Sequence, residues 1–178
     1  MKPSPRIAFL GTGLMGAPMC QNLLSADLPL TVWNRSQAKT EPLAKRGAEI
    51  ADSPQSAVSD ADVIITMVSD GSAANEVYDG EAGVLVGLQP GALCIDMSTI
   101  APSDVHVLAT KAASRGASFV DAPVSGSVAM AEAGTLTIMA GGAAPDVERA
   151  RPLFEAMGSK LYHVGPLGSG ATVKLSIQ

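Results

Sequence analysis

The sequence predicts a Rossmann-like, doubly wound α/β fold with a mainly parallel sheet. Three observations predict it. The apolar run Ile7-Ala8-Phe9-Leu10 passes directly into Gly11-Thr12-Gly13-Leu14-Met15-Gly16. Strand and helix signals then alternate along most of the 178 residues. Finally, 47% of the residues are hydrophobic but only 3% are aromatic, so the interior must be aliphatic. Alternation implies right-handed βαβ crossovers, and aliphatic strands suit a sheet buried on both faces.

The elements follow in chain order. Ile7–Leu10 is the first strand, and the G-x-G-x-x-G turn after it opens a helix expected from Leu14 to about Ala26. A strand before the glycines and a helix after them give the pattern its physical meaning. Gly11 permits the tight turn, Gly13 lets backbone approach a pyrophosphate, and Gly16 lets the helix pack close to the strand. Leu30–Trp33 reads as the second strand, and a helix follows Ser36, its regular part placed after Thr40 by Pro42. Ser53-Pro54 pairs an N-cap with proline at the first helical position. Asp62–Met67 and Ala92–Asp96 are buried strands; Pro102 starts a helix that Gly116 stops; and Ala117–Val120 resumes a strand. Thr135–Ala140 alternates with period two, which predicts an edge strand. Pro145–Met157 is helical, Lys160–Val164 a short strand, and Ala171–Gln178 a helix just beginning, with no C-cap after it.

Bulk properties narrow the function. The length fits one domain with a real core. A formal net charge of -5 with no basic run argues against nucleic acid as a partner. No apolar stretch has the ~20 residues of a membrane span, and no signal-peptide pattern precedes the first strand. Cys20 and Cys94 read as small apolar residues of a reducing compartment, so a cytoplasmic location is expected. His106, on a solvated helix face, and His163, near the last strand, lack ligand spacing, and no metal site is expected. The acid pairs Asp60/Asp62 and Asp79/Glu81 read as solvated charges at turns.

In this fold the end of the second strand faces the adenosine ribose, where an acid binds the 2′-hydroxyl of NAD and repels the 2′-phosphate of NADP. This chain has Asn34, Arg35 and Ser36 there and no carboxylate. A guanidinium and a hydroxyl bind phosphate, so NADP is the expected cofactor, with NAD possible. Ser36 also suits the cap of the next helix.

Six segments together resemble the N-terminal domain of the β-hydroxyacid dehydrogenase family, which includes 3-hydroxyisobutyrate dehydrogenases, tartronate semialdehyde reductases and glyoxylate/succinic semialdehyde reductases. They are Gly11–Gly16, Trp33–Ser36, Met67–Asp70, Asp96–Thr99, Asp121–Ser127 and Gly168–Lys174. Asn34-Arg35 and Pro123-Val124-Ser125-Gly126-Ser127 are closest to the glyoxylate/succinic semialdehyde reductase branch. The resemblance implies a dinucleotide-binding domain over residues 1–165 and the start of an interdomain helix over 166–178. It implies a following helical domain that these residues do not include, and a homo-oligomer for the whole enzyme. It implies hydride transfer between a nicotinamide and a small aldehyde acid or β-hydroxyacid. The alternatives are a dinucleotide-binding module without turnover and an imine reductase, which shares the two-domain plan and against which Lys174 speaks.

The same resemblance assigns roles. Lys174 matches the family's catalytic lysine, and a proton donor is what an alkoxide forming beside it needs. A place near a helix N-terminus would also set the ammonium against the positive end of the dipole. Ser125, Gly126 and Ser127 match the segment that holds the substrate carboxylate, although many members have glycine at the position of Ser127. Thr99 matches a cofactor contact near the nicotinamide, and Met67, Val68 and Ser69, at a strand end, line the adenosine side. Gln178 stands one helical turn after Lys174, where the family usually has an asparagine that positions substrate.

Overall fold

The computed structural model describes residues 3–178. β1 (Ile7–Leu10) leads through the glycine turn into α1 (Gly16–Ser25), and β2 (Leu30–Trp33) returns beside it. A 3₁₀ turn at Gln37–Thr40 runs into α2 (Glu41–Ala44), followed by β3 (Glu49–Ile50). α3 (Pro54–Val58) starts as expected, with a capping box between Ser53 and Ser56. β4 (Val63–Thr66) and β5 (Leu93–Asp96) flank α4 (Gly71–Asp79), which Asp70 caps, and α5 (Val84–Gly87). Then come α6 (Pro102–Ala113), β6 (Ser118–Asp121), β7 (Val124–Ser125) and α7 (Val128–Ala133). The chain continues through β8 (Leu136–Gly141), α8 (Ala144–Met157), β9 (Gly158–Gly165) and α9 (Ser169–Ile177).

The described residues form a nine-stranded sheet in the order β3-β2-β1-β4-β5-β6-β8-β7, with β9 also on β8. Strands β1 to β6 are all parallel, while β8 runs antiparallel to β6 and β7 and parallel to β9. Side chains alternate between the two faces, and each face has its own core. Phe9, Ile65 and Ile95 pack with Met19 and Leu23 of α1 and Leu153 and Phe154 of α8. Leu10, Ile64 and Cys94 pack with Tyr78 of α4 and Leu108 of α6. Helices therefore cover both faces, the doubly wound arrangement.

The structure corrects some expectations. The strand expected at an edge is β8, which is flanked on one side by β7 and on the other by β9. Its alternation came from Thr135 and Thr137, yet Leu136 and Ile138–Gly141 are all buried. The edge is β9, which runs from Gly158 to Gly165 and is longer than the apolar signal Lys160–Val164 suggested. α1 begins two residues later than expected, because Leu14 and Met15 belong to the turn. Asp62 and Asp79 are paired: Asp62 accepts the Arg6 N–H at 2.8 Å, and Asp79 lies 2.6 Å from Lys111 Nζ.

Candidate dinucleotide-binding site

β1 lies between β2 and β4, so successive crossovers leave it in opposite directions. Ligands of open α/β sheets bind at such a point, outside the carboxyl ends of the strands. The glycine turn occupies it. Gly11 has φ +105°, a left-handed conformation that favours glycine. A Cβ there would collide with the Met67 carbonyl, and one on Gly16 would collide with the Gly11 carbonyl. Gly13 differs: nothing lies within 4 Å of the place its Cβ would take. The turn is thus pressed against the loop after β4 at one glycine and open toward a ligand at another.

That open side is the wall of a cleft of about 710 Å³, a size suited to a small-molecule cofactor. Of the residues expected to meet a cofactor, Gly11, Gly13, Leu14, Met15, Gly16, Asn34, Arg35, Met67, Val68 and Ser69 line this cleft. Leu14 is 81% exposed at its mouth. No side chain caps α1 and no acid stands in its first turn, so the N–H groups at that end, which lack helical partners, are left for an anion.

Three expected cofactor residues are not in the cleft lining. Thr12 is buried and serves the turn, donating its N–H to Asn34 Oδ1 at 2.9 Å and its hydroxyl to the Lys39 carbonyl at 3.3 Å. Ser36 precedes the 3₁₀ turn, its side chain makes no cap, and its carbonyl accepts the Asn34 amide at 2.9 Å. Thr99 follows β5 outside the cleft. Sequence reading missed Lys39, which lines the cleft with Arg35; its spacing from Arg35, one helical turn, was the available signal. Glu76, on α4, is the carboxylate among the lining residues.

The residues expected at substrate lie elsewhere. Ser125 belongs to β7 and pairs with Thr137 of β8. Gly126 has φ +149°, and the Ser127 hydroxyl accepts the Met130 N–H at 3.2 Å to cap α7. Lys174 is half-buried, and Gln178 is exposed just past α9. The dipole argument for Lys174 does not hold, because it lies in the last turn of α9. The positive end of that helix meets Asp121 instead, whose Oδ1 and Oδ2 accept the N–H groups of Gly168 and Ala171, each at 2.8 Å. Burial outweighs these bonds and raises the Asp121 carboxyl from its ordinary value.

A second buried acid lies one strand away. Asp96 ends β5 in register with Thr66 of β4 and Asp121 of β6. It is 1% exposed, and burial, assisted by the nearby Asp121 carboxylate, pushes its carboxyl up to about 7. The Ser98 N–H reaches Asp96 Oδ1 at 3.4 Å. Among the described residues, Asp96 Oδ2, Thr66 Oγ1 and the Tyr78 hydroxyl are buried without a hydrogen-bond partner. Each such group costs about 1–3 kcal/mol. The signal for both acids was an aspartate closing an apolar strand run, at the edge where ligands bind.

His163 Nε2 lies 2.8 Å from the Gly142 carbonyl and 3.1 Å from that of Gly165, a local tie of β9. His106 is exposed on α6. No group of three or more His, Cys, Asp or Glu among the described residues is placed to hold a metal ion. No helix of the described residues is long and apolar enough to cross a membrane.

Residues 6–165 match the model of the NAD binding domain of 6-phosphogluconate dehydrogenase. The chain belongs to that family. It is 45% identical over 170 residues to an NAD-dependent L-serine dehydrogenase of Pseudomonas aeruginosa, covering 96% of this chain and 57% of that protein. It is 37% identical over 171 residues to a chloroplastic glyoxylate/succinic semialdehyde reductase of Arabidopsis thaliana, covering 96% of this chain and 48% of that protein. A solved structure of a Mycobacterium tuberculosis 3-hydroxyisobutyrate dehydrogenase with L-serine superposes with a TM-score of 0.93 at 38% identity, covering 98% of this chain and 59% of that one. The chain thus spans about half the length of the relatives it matches. The domain is an NAD(P)-binding Rossmann-like unit, and the relatives named above are dehydrogenases and a reductase.

Proposed function

We propose that these residues are the cofactor-binding part of an NADP(H)-dependent oxidoreductase acting on a small aldehyde acid or β-hydroxyacid. The observation that carries the cofactor reading is the open Gly13 beside Arg35 and Lys39 in one cleft. The turn and the uncapped start of α1 receive the pyrophosphate, with backbone N–H groups as donors. Arg35 and Lys39 take the 2′-phosphate, since a guanidinium and an ammonium offer charge-assisted donors and no acid ends β2. The Pseudomonas relative is named as NAD-dependent, so titration with both dinucleotides discriminates the two preferences.

When bound, the nicotinamide supplies or accepts the hydride. The protein's own part is to hold and protonate. Ser125, Gly126 and Ser127 hold the substrate carboxylate; the Ser127 hydroxyl, which accepts from Met130, still has its proton to donate. Lys174 Nζ gives a proton to the alkoxide oxygen as its charge develops, and Gln178 orients the substrate one turn further on. Two buried free cysteines support a cytoplasmic location.

Calorimetric titration with NADPH and NADH tests the cofactor reading. Binding of both with NADPH favoured supports it; NADH favoured overturns the preference, and binding of neither overturns the site. NADPH oxidation with glyoxylate or succinic semialdehyde, lost in Lys174→Ala, tests the chemistry. Binding without oxidation of any aldehyde acid by a protein of the relatives' full length leaves a binding module.

A further inference from the structure

Two strand-end loops border the glycine turn, and one side chain joins them. The Val68 N–H donates to Ser98 Oγ at 2.9 Å, across from the end of β5 to the end of β4. Val68 lines the cleft with its neighbours Met67 and Ser69, and the Met67 carbonyl is the atom against which Gly11 is pressed. Ser98 is itself buried, 2% exposed, and lines no part of the cleft. Behind it stands Asp96, whose Oδ1 receives the Ser98 N–H. The other oxygen, Oδ2, is left with Thr66 Oγ1 and the Tyr78 hydroxyl as further buried atoms without partners. Tyr78 comes from α4, the helix that contributes Ala73, Glu76 and Val77 to the cleft.

We propose that Ser98, held from behind by Asp96, is a positioning residue for the dinucleotide: its hydroxyl clasps the Val68 amide and fixes the loop Met67–Ser69 as a wall of the cleft. This rests on the dinucleotide reading of the cleft. The physical case has two parts. A strand-end loop has no ladder partner for its amide, and the backbone demands one when buried; here the partner is a side chain from the adjacent loop. A polar cluster buried without complete pairing is costly and is expected where it serves a site. Ser98 touches neither reacting atoms nor cofactor in this scheme. It acts through Val68, and its effect falls equally on both dinucleotides because β5, which Ser98 follows, is separated by β4 and β1 from β2, which leads to Arg35.

The test compares Ser98→Ala and Ser98→Cys with the parent chain, by titration with NADPH and NADH and by hydrogen exchange at the Val68 amide. Cysteine nearly fills the same space with a weak acceptor and keeps the test valid should the alanine variant unfold. The expected result is a loss of about three- to tenfold in affinity for both dinucleotides, the value of one hydrogen bond, with faster exchange at Val68. Unchanged affinity with a lowered melting temperature makes Ser98 merely structural and overturns the proposal. So does loss confined to NADPH, or unaltered Val68 exchange. Failure of the parent chain to bind either dinucleotide overturns the underlying reading and the proposal with it, and is distinct from the other outcomes.

Discussion

Asn34 Oδ1 accepts the Thr12 N–H at 2.9 Å. The residue that follows β2 is therefore bound to the glycine turn between Gly11 and Gly13, and its amide nitrogen is also engaged, donating to the Ser36 carbonyl at 2.9 Å. One carboxamide thus braces two segments of the cleft wall, the glycine turn and the residues after β2, a role that needs an acceptor and a donor on the same group.

Replacing Asn34 separates those two functions. Asn34→Asp keeps the acceptor for Thr12, loses the donor to Ser36 and adds a negative charge beside Arg35. NADPH affinity is expected to fall more than NADH affinity, by tenfold or more, with the charge opposing the 2′-phosphate. Asn34→Ala loses both bonds; about 1–2 kcal/mol of stability should go, and both dinucleotides should weaken alike. Calorimetry and urea denaturation on the two variants separate these patterns, and equal losses in Asn34→Asp would remove the ribose from the account.

Arg35 carries the complementary prediction. Arg35→Ala should weaken NADPH by about 1–3 kcal/mol, the value of a charge-assisted contact, and leave NADH nearly unchanged. Lys39→Ala should act in the same direction with a smaller loss, because an ammonium engages phosphate as a point charge rather than as a fork. Rising salt should erode the NADPH advantage in the parent and not in the double variant. A parallel fall for both cofactors in Arg35→Ala would make the guanidinium structural.

The buried acids make stability depend on pH. The unfolded chain releases the Asp96 proton near its ordinary value of 3.8, while the folded chain releases it only at about 7. Between those limits the native state binds more protons, so stability falls as pH rises, by up to about 1.4 kcal/mol per pH unit. Asp121 is raised as well and contributes in the same direction. Below the unfolded value both contributions are fully present; above pH 7 that of Asp96 is gone. Asp96→Asn, which mimics the protonated acid, should flatten the decline in urea midpoints from pH 5 to 8. A midpoint that rises over that range, or a variant that keeps the parent's slope, contradicts the assignment.

Much of this was legible in the sequence because it depended on local pattern. The alternation of aliphatic runs with helical stretches marked β1, β2, β4, β5 and β6 and their mainly parallel pairing, and the G-x-G-x-x-G turn marked the cleft; the strand order came only from the fold. The short elements β3, β7, α5 and α7 were not legible; each is two to six residues long and is held by partners distant in sequence rather than by its own periodicity. β8 was misplaced at an edge because alternation reports side-chain polarity, whereas its true position depends on β7 and β9 pairing on either side. In the site, a residue's type located it but did not assign its work. Thr12 and Asn34 brace the turn, and Asp121 takes the start of α9 that was expected to act on Lys174. Such exchanges are set by which hydrogen-bond donors the tertiary fold brings within reach, and no spacing rule records them.

The glycines of the turn offer a contrast that tests the cleft with the fold held constant. Gly13 has open space where a Cβ would stand, and its φ is not in the left-handed region. Gly13→Ala should therefore fold with stability within about 0.5 kcal/mol of the parent, and a small gain is allowed because alanine restricts the unfolded chain. The same methyl group would project into the cleft and should weaken both dinucleotides by tenfold or more, since it takes the space a pyrophosphate needs. Gly16→Ala is the opposite case: its Cβ would strike the Gly11 carbonyl, and α1 must move away from β1. That variant should lose several kcal/mol of stability and bind poorly because the site is deformed. Thermal melts with parallel NADPH titrations distinguish the two. Full NADPH affinity in a well-folded Gly13→Ala chain would mean that the phosphates do not approach the turn at Gly13.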